Sequence, residues 1–294
     1  MKKTIGLLCS GELGLNTLKI LAQNFVPQFI FTDKSSEGII KFAQNNSIPV
    51  FIGNPRKNNP ESFLKQFQTD LIFSFNYLFI VEKMVLKHPK LFAINLHGSL
   101  LPKYRGRTPH VWAIINGEKE TGITAHIMEE GCDTGDIVLQ KKLLIKENYT
   151  GADILGKFKK IYPEMILELI RQIGNKKLKR VEQDNRRASY FGKRTPDDGQ
   201  INWNWQKERI YNWVRAQAWP YPGAFSYLNN EKIIIDKINY SDFGFNNEIP
   251  NGLILKTEPE VLVKTPNGVV ELQQVRKPAT AIFKTNEKFE SPCK

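Results

Sequence analysis

Five short apolar runs separated by amphipathic stretches fill the first hundred residues, and few architectures accommodate that pattern. Residues 4–9, 27–33, 49–53, 71–76 and 92–97 read as strands. Between them, 13–23 reads as a helix with Leu13, Thr17, Ile20 and Leu21 on one side. A second helix ends near Asn46, and a third covers 60–67. Strands alternating with helices predict an α/β, Rossmann-like domain built on a parallel sheet. The run at 71–76 is nearly all apolar, as a strand buried on both faces requires. Later strands at 122–128 and 136–144 flank a turn at Asp133. A long helix over 152–173 carries Ile154, Leu155, Phe158, Ile161, Met165, Ile166, Leu169 and Ile170 at helical spacing.

The texture changes after Asp197-Asp198-Gly199. Trp203, Trp205, Trp213 and Trp219 fall close together, a cluster better suited to an interdomain core than to base stacking. Short β-type runs follow at 224–228, 232–238, 252–257, 261–265 and 269–275, parted by Asn229-Asn230 and Pro266-Asn267-Gly268. They predict a small β-barrel or sandwich. The expected organisation is two domains, 1–200 and 201–294.

Composition removes several classes of function. The 294 residues are 41% apolar, enough to bury full cores. Cys9, Cys132 and Cys293 give neither metal-ligand spacing nor a disulfide framework, so a metal-free protein of the reducing cytoplasm is expected. Residues 1–10 read as a buried first strand rather than a signal peptide, because Gly11-Glu12 interrupts the apolar run. No segment reaches the ~18 apolar residues that span a bilayer, which predicts a soluble protein. The net charge of +12 invites a nucleic-acid reading. From residue 201 onward, however, 12 Lys/Arg meet 10 Asp/Glu, and much of the excess lies at 157–194. The run Lys176-Lys177-Leu178-Lys179-Arg180 follows a helix, where solvated cations favour the helix dipole.

Candidate chemistry concentrates between 95 and 135. Asn95 and His97 end an apolar run two residues apart, so on a strand their side chains point the same way. Asp133 lies 36 residues beyond His97, room for a crossover that returns a strand beside the first. Pro102, Gly106, Gly131 and Gly135 shape loops around them. Singly, Asn95 and Asp133 are ordinary turn formers and His97 an ordinary structural histidine; only the joint spacing singles them out. His88, His110 and His126 show no such setting and read as structural.

The segments Asn95-Leu96-His97, Ser99-Leu100-Leu101-Pro102-Lys103-Tyr104-Arg105-Gly106 and Asp133-Thr134-Gly135 together resemble the active-site pattern of the N10-formyltetrahydrofolate-dependent formyltransferases. Asn116-Gly117 and Glu120-Thr121-Gly122-Ile123-Thr124 extend the resemblance. Phe191-Gly192-Lys193-Arg194-Thr195-Pro196-Asp197-Asp198-Gly199, Val214-Arg215-Ala216 and Pro220-Tyr221-Pro222-Gly223-Ala224-Phe225 are similar to members that formylate nucleotide-linked amino sugars. The resemblance runs to about residue 235.

It implies an OB-like C-terminal domain and transfer of the formyl group of N10-formyltetrahydrofolate to an amine. Asn95 would donate to the formyl oxygen, and His97 would share that role or accept the amine proton. Asp133 would hold His97 or take a proton through water. The implied folate site is Phe79, Ile80, Val81, Glu129, Glu130 and Asp133. The implied acceptor site is Ser10, Gly11, Asn76, Tyr77, Lys103 and Arg105, with Lys103, Arg105 and Arg107 clamping a diphosphate. Tyr221 is a further candidate. The expected acceptor is dTDP-4-amino-4,6-dideoxyglucose for lipopolysaccharide O-antigen, since no decarboxylase domain of the 4-aminoarabinose type lies within the 294 residues; a homodimer is expected.

Three other readings are weighed against this one. A dinucleotide dehydrogenase would use Ser10-Gly11-Glu12-Leu13-Gly14 and Asp33, but Gly-x-Gly-x-x-Gly is absent. Methionyl-tRNA formyltransferases carry a basic loop after the second strand, where this chain has only Asp33-Lys34-Ser35-Ser36-Glu37-Gly38, and its C-terminal part is nearly neutral. A non-catalytic folate-binding module need not keep all three polar residues.

Overall fold

The computed structural model describes residues 3–278 and 280–292; Met1, Lys2 and the Cys293 thiol lie outside the described residues. The chain begins β1 (Ile5–Cys9), α1 (Gly11–Ala22), β2 (Phe29–Thr32), α2 (Glu37–Asn45), β3 (Val50–Ile52), α3 (Glu61–Leu64) and β4 (Leu71–Phe75). Next come α4 (Lys83–Leu86), β5 (Phe92–His97), β6 (Arg105–Gly106), α5 (Pro109–Ile115), β7 (Glu120–Ile127) and β8 (Ile137–Leu144). The remainder is α6 (Gly151–Gly174), β9 (Tyr190–Phe191), α7 (Lys207–Ala216), β10 (Ala224–Leu228), β11 (Glu231–Ser241), β12 (Ile254–Lys256), β13 (Val261–Thr265) and β14 (Gly268–Arg276).

Seven strands form one sheet in the order β3-β2-β1-β4-β5-β7-β8. β1 pairs in parallel with β2 and β4, β2 with β3, and β4 with β5. Strand order reverses between β1 and β4, and in such sheets the crevice at the carboxyl ends of those strands is the usual ligand site. β1, β2 and β4 are buried along their whole length, as unbroken apolar runs in a covered parallel sheet should be. Phe29, Phe31, Leu8 and Ile72 pack with Leu64 and Val85 on one face, and Phe51, Phe63 and Phe67 close around them. Gly6 is required there, because a Cβ at that position would overlap the ring of Phe29.

One expectation about this sheet needs correction. β7 does return beside β5, but it runs antiparallel, with Asn95 opposite His126 and His97 opposite Thr124. A parallel return needs a crossover helix along the sheet. The seven-residue α5 is only about 10 Å long, so the chain re-enters from the edge it left. α6 then buries Ile154, Phe158, Tyr162, Met165, Ile166, Leu169 and Ile173 along one stripe.

The molecule divides into two compact units. The first holds the described residues up to Pro109 with Thr121–Leu144 and Leu155–Phe191; the second holds His110–Glu120, Ile145–Ile154 and the described residues from Gly192. In the second unit a five-stranded antiparallel sheet has the order β10-β11-β14-β13-β12. Trp203 is fully buried there, stacks on Phe289 and donates Nε1–H to Ser226 Oγ. Trp213 donates to the Gly199 carbonyl, and Arg194 lies over its ring and that of Trp112. The core reading of the tryptophan cluster therefore describes Trp203 and Trp213, whereas Trp219 is 72% exposed. Tyr221, considered as a site residue, hydrogen-bonds His110 within this unit at 2.7 Å. No helix among the described residues is long and apolar enough to cross a membrane.

Candidate active site

The parallel strands end side by side, and their last residues supply the polar groups. Asn95 and His97 occupy the end of β5, and Asp133 sits on the turn between β7 and β8. Strand alternation places Asn95 and His97 on one face, and the turn brings Asp133 against both. Asn95 Nδ2 is 3.4 Å from Asp133 Oδ1, and His97 Nδ1 is 3.5 Å from Asp133 Oδ2. His97 is 6% exposed, and Asp133 has the left-handed φ of 56°. The backbone N–H of Gly106 donates to Asp133 Oδ2 at 2.9 Å. Gly106 itself (φ 99°) leaves no space for a Cβ, which would overlap the Phe191 carbonyl that pairs β6 with β9.

A fourth side chain completes the set. His126 Nε2 lies 3.4 Å from Asp133 Oδ1 and 3.2 Å from Asn95 Nδ2. The expectation that His126 has no setting near the candidate site is corrected by these contacts. The register pairing Asn95 with His126 brings it to the carboxylate. The detectable signal was period two: Thr124 and His126 alternate on β7 as Asn95 and His97 do on β5.

Hydrogen-bond partners fix the proton positions, because a backbone carbonyl only accepts. His97 Nε2 faces the Tyr104 carbonyl at 2.7 Å, so that nitrogen carries the proton. In the neutral ring Nδ1 is then a bare acceptor facing a carboxylate oxygen, also an acceptor. His126 Nδ1 faces the Ile127 carbonyl at 2.8 Å, which leaves its Nε2 free to accept from Asn95. In that neutral state His97 Nδ1 and Asp133 Oδ2 are two acceptors 3.5 Å apart. Such a pair becomes an ion pair when a proton arrives.

Burial alone would raise the Asp133 pKa. With the imidazoles protonated, the charge of His97, hydrogen bonding and charge from His126, and the Gly106 N–H outweigh it and hold the carboxyl well below the ordinary range. The neighbouring Cys132 thiol is pushed up to about 11 by burial and by Asp133. It is therefore a thiol at neutral pH, donating weakly to Asp133 Oδ2 at 3.5 Å.

The expected folate residues lie on two segments. Phe79, Ile80 and Val81 form a coil after β4, ahead of α4, and Ile80 is 59% exposed. Val81 packs partly on the phenylalanine core. Glu129 and Glu130 are exposed on the Asp133 turn. One tie joins these segments, the pair of Lys83 with Glu130 at 3.2 Å, and Arg107 holds the start of the coil by donating to the Leu78 carbonyl at 2.5 Å.

The expected acceptor residues divide. Ser10, Gly11 and Asn76 meet at the β1/β4 crevice, where Asn76 Nδ2 donates to the Ser10 carbonyl at 2.8 Å. Gly11 N–H donates to Ser36 Oγ at 2.8 Å, and Ser36 Oγ donates in turn to Asp33 at 2.6 Å. Burial would raise the Asp33 pKa, but hydroxyls of Ser35 and Ser36 lower it to about 2. Tyr77 turns inward: its hydroxyl is buried without a partner among the described residues, and its ring meets Phe79 edge-on. Lys103 is exposed. Arg105 departs from the diphosphate-clamp expectation. It is 1% exposed, and its guanidinium is occupied by Gln183 Oε1 (2.8 Å), Asn185 Oδ1 (2.8 Å) and Tyr190 OH (2.5 Å). A buried cation with its donors engaged is structural.

Residues 15–170 match the family model for formyl transferase, and 193–292 match formyl transferase, C-terminal domain. The bifunctional polymyxin resistance protein ArnA of Wigglesworthia glossinidia brevipalpis is 38% identical over 266 residues. That alignment takes in 88% of this chain but only 39% of the relative, so the chain spans about two fifths of its length. The sugar 3N-formyl transferase WlaRD, solved with dTDP and 5-N-formyl-THF, superimposes with a TM-score of 0.71 at 22% identity, covering 96% of this chain and 100% of its own. An N-formyltransferase from Helicobacter canadensis, in complex with folinic acid and dTDP-3-aminofucose, gives 0.72 at 22% identity, covering 94% and 100%. With the family model matching more than half of its length, the chain belongs to the formyl transferase family.

Proposed function

We propose that this protein transfers the formyl group of N10-formyltetrahydrofolate to the amine of a dTDP-linked amino-dideoxyhexose. The observation that carries the reading is the meeting of His97 Nδ1 with Asp133 Oδ2, 3.5 Å apart, beside the amide of Asn95. An amine attacking a formyl carbon must lose a proton, and the carbonyl oxygen gains negative charge; as the carbonyl re-forms, the bond to N10 breaks, and N10 takes a proton and leaves as tetrahydrofolate. His97 Nδ1 accepts that proton, and the resulting imidazolium is held between the Tyr104 carbonyl and the Asp133 carboxylate. Asn95 donates to the oxygen through the N–H that now meets Asp133 at 3.4 Å, a contact long enough to be redirected. His126 orients Asn95 by accepting its other N–H.

The folate, as co-substrate, supplies the formyl group. Its ring fits the exposed apolar Leu78 and Ile80 with half-buried Phe79, next to the Asp133 turn. The nucleotide fits the β1/β4 crevice at Ser10, Gly11 and Asn76, with Lys103 free to meet a phosphate. Both likenesses to proteins solved with dTDP or a dTDP-linked sugar support that acceptor. The Phe191 to Gly199 motif supports a nucleotide-linked amino sugar, and the acceptor put forward within that class is dTDP-4-amino-4,6-dideoxyglucose, for lipopolysaccharide O-antigen.

The test is a panel incubated with N10-formyltetrahydrofolate and resolved by mass. Its members are dTDP-4-amino-4,6-dideoxyglucose, dTDP-3-aminofucose, UDP-4-amino-4-deoxyarabinose and methionyl initiator tRNA. Formylation of a dTDP sugar supports the proposal. Turnover of the tRNA or the UDP sugar alone would reassign the acceptor, and formylation of none would remove the activity.

A further inference from the structure

Asp133 is aimed by a left-handed backbone conformation (φ 56°), uncommon outside glycine though open to Asp and Asn, and its main chain is held from outside the turn. Gln183 meets that need. An antiparallel bridge between Val181 and Ile137 sets the register, with N–H···O bonds of 2.8 and 2.9 Å in both directions. Two residues further, Gln183 therefore stands opposite Gly135. Its Nε2 donates to the carbonyls of Asp133 (2.9 Å) and Gly135 (2.7 Å), closing a clamp around the turn. The side chain is 4% exposed.

The amide cannot be turned over. Its Oε1 accepts twice from Arg105, at 2.8 and 3.3 Å, and a guanidinium can only donate. The two carbonyls opposite can only accept. Arg105 thus selects the amide orientation that grips the turn, while the N–H of the next residue, Gly106, grips the carboxylate of the same aspartate. One dipeptide fixes Asp133 at both its main chain and its side chain.

We propose that Gln183, locked by Arg105, is a positioning residue that fixes the left-handed Asp133 turn and thereby aims the carboxylate at His97. The inference rests on the reading of Asp133 given under Proposed function, and the test separates the two. Gln183→Glu keeps the acceptor that Arg105 needs and removes both donors to the turn; Gln183→Met removes the donors without adding charge. Formyl transfer from N10-formyltetrahydrofolate to dTDP-4-amino-4,6-dideoxyglucose is measured for each, alone and combined with Asp133→Asn. In both Gln183 variants kcat is expected to fall about 10- to 100-fold, the usual consequence of a misplaced reacting group. Both KM values stay within about twofold. Combined with Asp133→Asn, neither change costs anything further, because the two act as one unit.

If Asp133→Asn retains the full rate, the reading of Asp133 is lost. If Asp133→Asn is impaired while kcat of the Gln183 variants is unchanged, or the losses multiply, the positioning role alone is lost. Should the Gln183 variants not fold, Arg105→Lys carries the same comparison, since it keeps the cation but loses the fork that orients the amide. A kcat loss that vanishes on the Asp133→Asn background supports the clamp, and unchanged kcat overturns it.

Discussion

The Asp133 turn and the coil at 78–83 are neighbours built on opposite principles. Around Asp133 polar groups converge on both carboxylate oxygens and on the main chain. The carboxylate meets His97, His126, Asn95 and the Gly106 N–H, and Gln183 holds the main chain. The 78–83 coil leaves Leu78 and Ile80 at 40% and 59% exposure. Its ties to the site are Arg107 on the Leu78 carbonyl and the exposed Lys83–Glu130 pair, the latter worth ~0–1 kcal/mol. Directed hydrogen bonds fix atoms to the tolerance a proton transfer needs. Exposed apolar side chains supply binding energy without that accuracy. The difference predicts a division of labour: changes at the turn should act on kcat, and changes at the coil on KM.

The largest effect should come from Asp133→Asn. It preserves shape but removes the charge that stabilises the His97 imidazolium, so kcat for formyl transfer is expected to fall about 10³-fold. Folate affinity, read by equilibrium fluorescence, should stay within about twofold. A loss shared equally between kcat and KM would erase the contrast between the two regions.

At the coil, Ile80→Asp should raise the KM for N10-formyltetrahydrofolate about 10- to 150-fold, since burying an isoleucine against the ligand is worth roughly 1.5–3 kcal/mol. Steady-state kinetics should show kcat unchanged. A variant with normal KM would mean that folate is bound elsewhere.

The smallest effect concerns pH and stability. The Asp133 carboxyl is held below its ordinary range in the folded protein, so the unfolded chain binds a proton first as pH falls. Its contribution is complete above the unfolded value of about 3.9 and is lost as pH drops towards the lower folded value. Urea unfolding of wild type and Asp133→Asn should therefore converge by about 1 kcal/mol between neutrality and about pH 3. A pH-independent difference would show that the carboxylate is not stabilised by its partners.

Much of this contrast could be read in the sequence, and what could not has physical causes. The apolar runs fixed the strands of the first unit, and period two alone placed Asn95 and His97 on one face. Gly131 and Gly135 marked the Asp133 turn. His126 escaped because its meeting with Asn95 depends on β7 running antiparallel, and no local pattern gives strand direction. Arg105 misled because a loop cation beside a glycine looks like an anion clamp. Its true partners, Gln183, Asn185 and Tyr190, come 78 to 85 residues later, a separation at which sequence spacing carries no geometry. Trp219 was grouped with the buried tryptophans by proximity, but Trp203 and Trp213 are the ones whose indole N–H groups find buried partners.

The central claim is that His97 Nδ1 takes the proton of the attacking amine. Single-turnover formyl transfer by His97→Ala, with N10-formyltetrahydrofolate and the dTDP-linked acceptor both saturating, tests it most directly. The account predicts a rate lower by about 10²- to 10⁴-fold with the folate fully bound; transfer within about threefold of wild type would contradict it.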